Sequence, residues 1–182
     1  MRRLLALGVL LAGCGSGADA PSPEVEPVEA EPAAEPEAPP PFWVDVDAVS
    51  LGPALRARPE RALLVNVWST WCELRQGDAG ADRHRAGYED RGLGLVLIAT
   101  DAPASREEAE AFLITQGAPR PSWFKVGPDD PFIRALHPDW SGGLPATLLL
   151  DDQRRVAHFW EEPVSADTLR EPIESLLGDT HP

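Results

Sequence analysis

Beyond residue 60, short apolar runs alternate with polar, helix-compatible stretches. Leu63-Leu64-Val65-Asn66-Val67-Trp68 is apolar, rich in β-branched residues and free of proline, which predicts a buried strand. Leu93 to Thr100 predicts a second buried strand. Residues 72–90, between them, are compatible with helix, although Gly77, Gly80 and Gly87 weaken that pattern. Ser105 to Gln116 predicts a helix: Ser105 and Glu108 have the spacing of a capping box, and Ala109, Phe112 and Leu113 share a face. Ser122 to Val126 predicts a short strand and Pro131 to Leu136 a turn of helix. Ala146 to Leu150, a turn at Asp151-Asp152-Gln153, and Arg155 to Trp160 predict an antiparallel hairpin. Ser165 to Leu177 predicts the last helix. Pro172 predicts a kink there or a fresh helix start, because its ring clashes with the carbonyl four residues back. Upstream, Val44 to Val46 predicts a short edge strand, and Ser50 to Arg58 a short helix with Leu51 and Leu55 one turn apart.

Strands and helices in that order predict an α/β domain with a central mixed β-sheet flanked by helices on both faces. The domain spans residues 42–182, with its structured part ending near residue 178. This is an ordinary size for one domain with its own core.

The pattern stops abruptly before residue 42. Residues 15–41 hold eight prolines, seven acidic residues and no basic ones. Such a segment has too little apolar surface to repay the entropy of ordering, and proline with like-charge repulsion favours extended polyproline II. Residues 14–41 are therefore expected to form a disordered tether. Either it is a spacer that lifts the domain off a membrane or it is a linker without a role. Ahead of it, Met1-Arg2-Arg3 is basic and Leu4 to Ala12 almost wholly apolar, the layout of a signal peptide too short to anchor by spanning. Leu11-Ala12-Gly13-Cys14 resembles a bacterial lipobox. The resemblance implies removal of residues 1–13, lipidation of Cys14 and attachment to the cell envelope on its periplasmic side. Gly15 stands where an Asp would favour the inner membrane, which points to the outer membrane. An ordinary signal peptide that happens to contain a cysteine is the competing reading.

Sixteen basic against 30 acidic residues give a formal charge of −14, and loss of Arg2 and Arg3 with the signal would take it to −16. A nucleic-acid partner is excluded on that balance, because such proteins need a basic footprint. Cys14 and Cys72 are the only cysteines. With Cys14 lipidated, Cys72 is left with no partner for an internal disulfide. His84, His137, His158 and His181 have no ligand spacing, so neither a metal nor another cofactor is expected. No phosphate-cradling glycine-rich loop is present.

Cys72 directly follows the first buried strand and opens the polar stretch. A cysteine in a first helical turn faces unpaired N–H groups and the positive end of the helix dipole, both of which favour the thiolate. Arg75, one turn on, pushes the same way; Glu73 pushes back. A buried structural thiol is the alternative.

Trp68-Ser69-Thr70-Trp71-Cys72 resembles the active-site segment of thioredoxin-like proteins, in particular the TlpA/ResA type of thiol-disulfide oxidoreductase, whose pattern is Trp-x-Thr-Trp-Cys-x-x-Cys. Gly143-Leu144-Pro145-Ala146-Thr147 resembles the cis-proline segment of that family, and Asp139 to Gly143 its lead-in. The resemblance implies a thioredoxin-like fold over residues 60–178 and a cis Pro145 packed beside Cys72. It also implies a groove in which backbone groups of Leu144 are free to meet an extended peptide. Trp71, Trp140 and Glu73 border that groove, with Trp71 exposed and Trp68 partly in the core. The sequence departs from the family where the second cysteine should stand, which is Arg75. A resolving thiol normally attacks the mixed disulfide and releases the substrate. Here an external thiol must do so.

Two functions compete. One is a membrane-tethered, single-cysteine thiol redox protein in which Cys72 acts on disulfides or peroxide, Arg75 stabilises the anion, Pro145 positions the partner, and an envelope protein or small-molecule thiol completes turnover. The other is a catalytically dead module that binds a peptide or envelope protein in the groove around Trp71 and Pro145. A purely structural lipoprotein with an incidental thiol is a third, weaker reading.

Overall fold

The computed structural model describes residues 41–71 and 87–178. Six strands form one sheet: β1 (Trp43–Val46), β2 (Ala62–Trp68), β3 (Leu93–Ala99), β4 (Ser122–Lys125), β5 (Ala146–Leu150) and β6 (Val156–Trp160). Their order across the sheet is β1-β4-β3-β2-β5-β6. The β1/β4, β4/β3 and β3/β2 pairs are parallel, while β2/β5 and β5/β6 are antiparallel. The sheet is therefore mixed, as the alternation of elements predicts, and Val44 to Val46 does lie on an edge strand. The helices are α1 (Leu51–Arg56), α2 (Arg106–Gln116), α3 (Asp129–Leu136) and α4 (Ala166–Leu177), with 3-10 turns at Glu89–Arg91 and Pro103–Ser105.

The period-2 alternation of β2 divides the core. Ala62, Leu64 and Trp68 face a cluster with Leu95, Phe124, Leu113, Leu169 and Ile173, which brings in α2 and α4. Leu63, Val65 and Val67 face the opposite cluster with Leu51, Leu55, Phe132, Leu136 and Trp140, which brings in α1 and α3. Both faces of the central strands are thus covered, which is why β2 and β3 read as nearly unbroken apolar runs. Asn66 is the polar interruption in β2, and its Nδ2 donates to Thr147 Oγ1 of β5 at 3.1 Å. Gly94 sits in β3 because a Cβ there would come within 2.6 Å of Leu63 Cδ2.

Three expectations need correction. Ser105 does precede α2, but it belongs to a 3-10 turn with φ −95° and ψ 7°, and its side chain makes no cap hydrogen bond. The expected capping box is therefore not formed by Ser105; a hydroxyl caps best from extended backbone. The shared face of α2 is as expected, with Ala109 and Leu113 buried. Helix α3 begins at Asp129, earlier than Pro131, since two aspartates in the first turn suit the helix dipole and a proline there sacrifices no internal bond. Of the two outcomes expected at Pro172, the fresh helix start is not observed: α4 runs as one element through the proline and is N-capped by Ser165, whose Oγ accepts from the Thr168 amide at 3.2 Å. Burial of Leu169, Ile173 and Leu177 on both sides of the proline offsets the lost backbone bond. Most of the polar stretch after β2 lies outside the described residues.

Candidate functional site

The candidate site lies where β2 and β3 end and β5 begins. The antiparallel register pairs Val67 with Ala146. The turn leaving β2 and the residue preceding β5 are therefore brought to the same end of adjacent strands. The Leu144–Pro145 peptide bond is cis, as the resemblance implies. Arg120–Pro121 is also cis, and no feature of the sequence marked it.

The turn after β2 is held from β3. Trp68 carbonyl accepts from the Thr100 amide at 2.9 Å and from Thr100 Oγ1 at 3.1 Å. Asp101, only 4% exposed, then takes the next two residues. Its Oδ1 accepts from Ser69 Oγ at 2.7 Å, from the Thr70 amide at 2.9 Å, and from Thr70 Oγ1. Its Oδ2 is buried without a hydrogen-bond partner. One carboxylate oxygen thus fixes the turn that leads into Cys72. Ser69 is buried, whereas Trp71 projects into solvent at 70% exposure, and Trp68 is in the core. Those three placements agree with a tight turn at the mouth of the sheet.

The loop before Pro145 is held from β6. Trp140 Nε1 donates to the Gly143 carbonyl at 2.8 Å. Glu161 accepts from the Gly143 amide at 2.7 Å, from the Ser141 amide at 3.3 Å, and from Ser141 Oγ. A Cβ at 143 would lie 2.7 Å from Glu161 Oε1, so any larger residue there must displace the Glu161 carboxylate from the Gly143 amide. Trp140 itself is buried, so it walls the groove from below rather than presenting an exposed ring. Among the described residues the Leu144 amide and carbonyl make no hydrogen bond. The Ser141 hydroxyl, then the Ser141 and Gly143 amides, hold the Glu161 carboxyl below its ordinary value of 4.5. A group with a depressed folded pKa contributes above its unfolded value and loses that contribution as pH falls through the folded one. The Gly143 amide resonance is therefore expected to titrate with a midpoint below 4.5, and to lose that titration in Glu161→Gln. A pH-independent resonance in the unmodified chain refutes the clamp.

Of the residues singled out by sequence, Pro145, Leu144, Trp71 and Trp140 come together here. Cys72, Glu73, Arg75 and Cys14 lie outside the described residues. His137 stacks on Phe159 with ring centroids 4.3 Å apart. Among the described residues no group of three His, Cys, Asp or Glu side chains could hold a metal ion. Asp101 and Glu161 were not anticipated. Asp101, just beyond an apolar strand, carried a faint signal, because strand ends of an α/β sheet are where ligands and chemistry gather. Glu161 carried none, since its partners are some 20 residues away.

No protein-family model and no curated protein sequence matches the chain. Solved structures do. A DsbF homologue from Corynebacterium diphtheriae matches at 25% identity and TM-score 0.56, over 64% of this chain and 72% of that one. A thiol:disulfide interchange protein of the thioredoxin family from Chlorobium tepidum matches at 24% identity and TM-score 0.54, over 65% and 81%. A thioredoxin-related protein from Neisseria meningitidis serogroup B matches at 18% identity and TM-score 0.56, over 67% and 89%. With the sheet order, the helices on both faces and the cis Leu144–Pro145 bond, these likenesses show that the domain has a thioredoxin-like fold.

Proposed function

We propose that the chain is a thioredoxin-like thiol redox protein of the bacterial envelope that acts through Cys72. The observation that carries this reading is the convergence of the Trp68–Trp71 turn and cis Pro145 on adjacent strand ends, with the cysteine next in sequence. The matched structure from Chlorobium tepidum bears the name of a thiol:disulfide interchange protein, which supports the same reading. Cys72 thiolate attacks a partner disulfide, forms a mixed disulfide and expels one partner thiolate. An external thiol attacks the mixed disulfide at the Cys72 sulfur and frees the second partner thiolate. A second external thiol then restores Cys72 and leaves the external pair as a disulfide. Peroxide is the other acceptor: it oxidises the thiolate to a sulfenic acid, and two external thiols return it. Arg75 and the backbone N–H groups after Cys72 stabilise the anion, Glu73 edges the groove, and Cys14 anchors the chain by its lipid. Among the described residues no helix is long and apolar enough to cross a membrane.

The test is the pH dependence of Cys72 alkylation in a Cys14→Ser background, with the mass of the membrane-extracted chain reporting acylation at Cys14. The expected midpoint lies at least about one unit below the free-thiol value of about 8.5. An ordinary midpoint refutes the redox reading. The exposed Trp71 and the Leu144 backbone, which has no hydrogen-bond partner among the described residues, favour a second reading, a binding module without turnover. It expects Cys72→Ser to leave partner capture intact, whereas the redox reading expects capture to vanish.

A further inference from the structure

Strand β6 closes one side of the sheet, and among the described residues no strand pairs with its outer edge. The opposite edge is β1, near where the described chain begins. An open edge offers a row of backbone donors and acceptors, and charged side chains or proline usually guard it. β6 reads Val-Ala-His-Phe-Trp and has neither. Val156, Ala157 and His158 are all exposed. A register shift opposite Leu149 and Leu150 leaves Ala157 outside the β5 pairing and adds local twist, while His158 to Trp160 pair regularly. His158 stacks on Trp160 on one face of the strand, and Phe159 stacks on His137 on the other. These side chains are already ordered, so a strand added here costs little further rotamer freedom.

Charge selects the occupant. Beside the start of β6 stand Arg154 and Arg155, with Arg56, Arg58 and Arg61 on the connection that Arg154 reaches; the acidic residues there are Glu60, Asp151 and Asp152. That end has an excess of two positive charges. Beside the end of β6 stand Glu161, Glu162 and Asp167, with Arg170 paired to Asp167, an excess of two negative charges. The partners of Arg154 are carbonyls, and those of Glu161 are amides and a hydroxyl, so neither meets a counter-charge among the described residues. Residues 72–86 carry three acidic and three basic side chains, which cancel. Turned end for end, the edge is complementary to itself.

We infer that β6 is a self-association edge, which pairs antiparallel with β6 of a second copy about a two-fold axis near His158. A two-fold contact has to be self-complementary. This one sets Ala157 opposite Phe159 of the second copy, and the Arg154-Arg155 end of each strand beside the Glu161-Glu162 end of the other. β6 runs parallel to β2, because each is antiparallel to β5. The two candidate sites therefore come to opposite ends of one continuous sheet. The contact is short and the net charge of −14 opposes it at long range, so the dimer is weak and concentration-dependent. The inference does not rest on the reactivity of Cys72.

The test uses the full chain carrying Cys14→Ser and Cys72→Ser, which removes any disulfide-linked dimer, in sedimentation from about 5 to 500 µM protein. The expected result is a reversible monomer–dimer equilibrium, with backbone amides of residues 156–160 gaining hydrogen-exchange protection as the dimer forms. Ala157→Lys puts a charge on the edge at an exposed position and is expected to weaken association by about tenfold or more. Arg155→Glu and Glu162→Arg are each expected to weaken it by about threefold. An equimolar mixture of those two variants is expected to associate more tightly than either alone. A single monomeric species across the whole range overturns the inference. So does a dimer that Ala157→Lys leaves intact, or one whose added protection falls outside β6. A mixture no tighter than its components overturns the antiparallel two-fold pairing.

Discussion

Arg154→Ala is expected to destabilise the domain by about 2–4 kcal/mol, read as a lower midpoint of urea unfolding with an unchanged slope. Arg154 stands at the turn between β5 and β6 and reaches back to the α1–β2 connection. Its guanidinium donates to the carbonyls of Leu55 at 3.1 Å, Asp151 at 2.8 Å, Arg58 at 2.6 Å and Glu60 at 2.7 Å. A planar fork of charged donors can satisfy several carbonyls at once, and no uncharged side chain offers that geometry. The residue is half-buried, so water recovers part of the loss and the figure stays below the sum of four charged bonds. Arg154 also has φ +62°, in the left-handed region. Glycine adopts that conformation without the Cβ penalty, so Arg154→Gly is expected to lose about 1 kcal/mol less than Arg154→Ala. The gap between the two variants isolates the backbone from the hydrogen bonds. If both variants unfold at the original midpoint, the staple contributes nothing.

Asp101→Ala carries the second large effect, about 2–3 kcal/mol of stability. The substitution strands the Thr70 amide and the buried Ser69 hydroxyl, each of which then bears the full cost of an unmade bond. Asp101→Asn keeps an oxygen at the Oδ1 position and replaces charge-assisted bonds with neutral ones, so it is expected to lose under half as much. The functional consequence follows from sequence order. Thr70 lies two residues ahead of Cys72, so a released turn is expected to lower the Cys72 alkylation rate in Asp101→Ala by about tenfold or more while Asp101→Asn stays near the original rate. A stability loss with no change in alkylation confines Asp101 to a structural role.

These two residues mark where local pattern and long-range contact part company. Strand β2 was foreseen from Leu63 to Trp68 and spans Ala62–Trp68, because an unbroken β-branched run has few other ways to hide its side chains. The hairpin of β5 and β6 was foreseen from a turn signal between two apolar runs. Helix ends fared worse. Ser105 has the spacing of a cap, yet a 3-10 turn ahead of α2 takes its backbone out of capping geometry. Pro172 can start a fresh helix, yet α4 continues through it as one element, with three buried apolar residues holding both halves.

Taken alone, the amino-acid order determined the fold class, the nearly uniform burial of the central strands, the exposed Trp71 and the segment around Pro145. Each of these depends on near neighbours in sequence, or on a short stretch whose resemblance could be recognised whole. Only the tertiary structure decided that Asp101 clamps the turn before Cys72, that Glu161 clamps the loop before Pro145, and that Arg154 staples a distant connection. Those contacts join residues 18 to 99 positions apart. They arise because the sheet order sets β2 between β3 and β5, an arrangement that no local periodicity encodes.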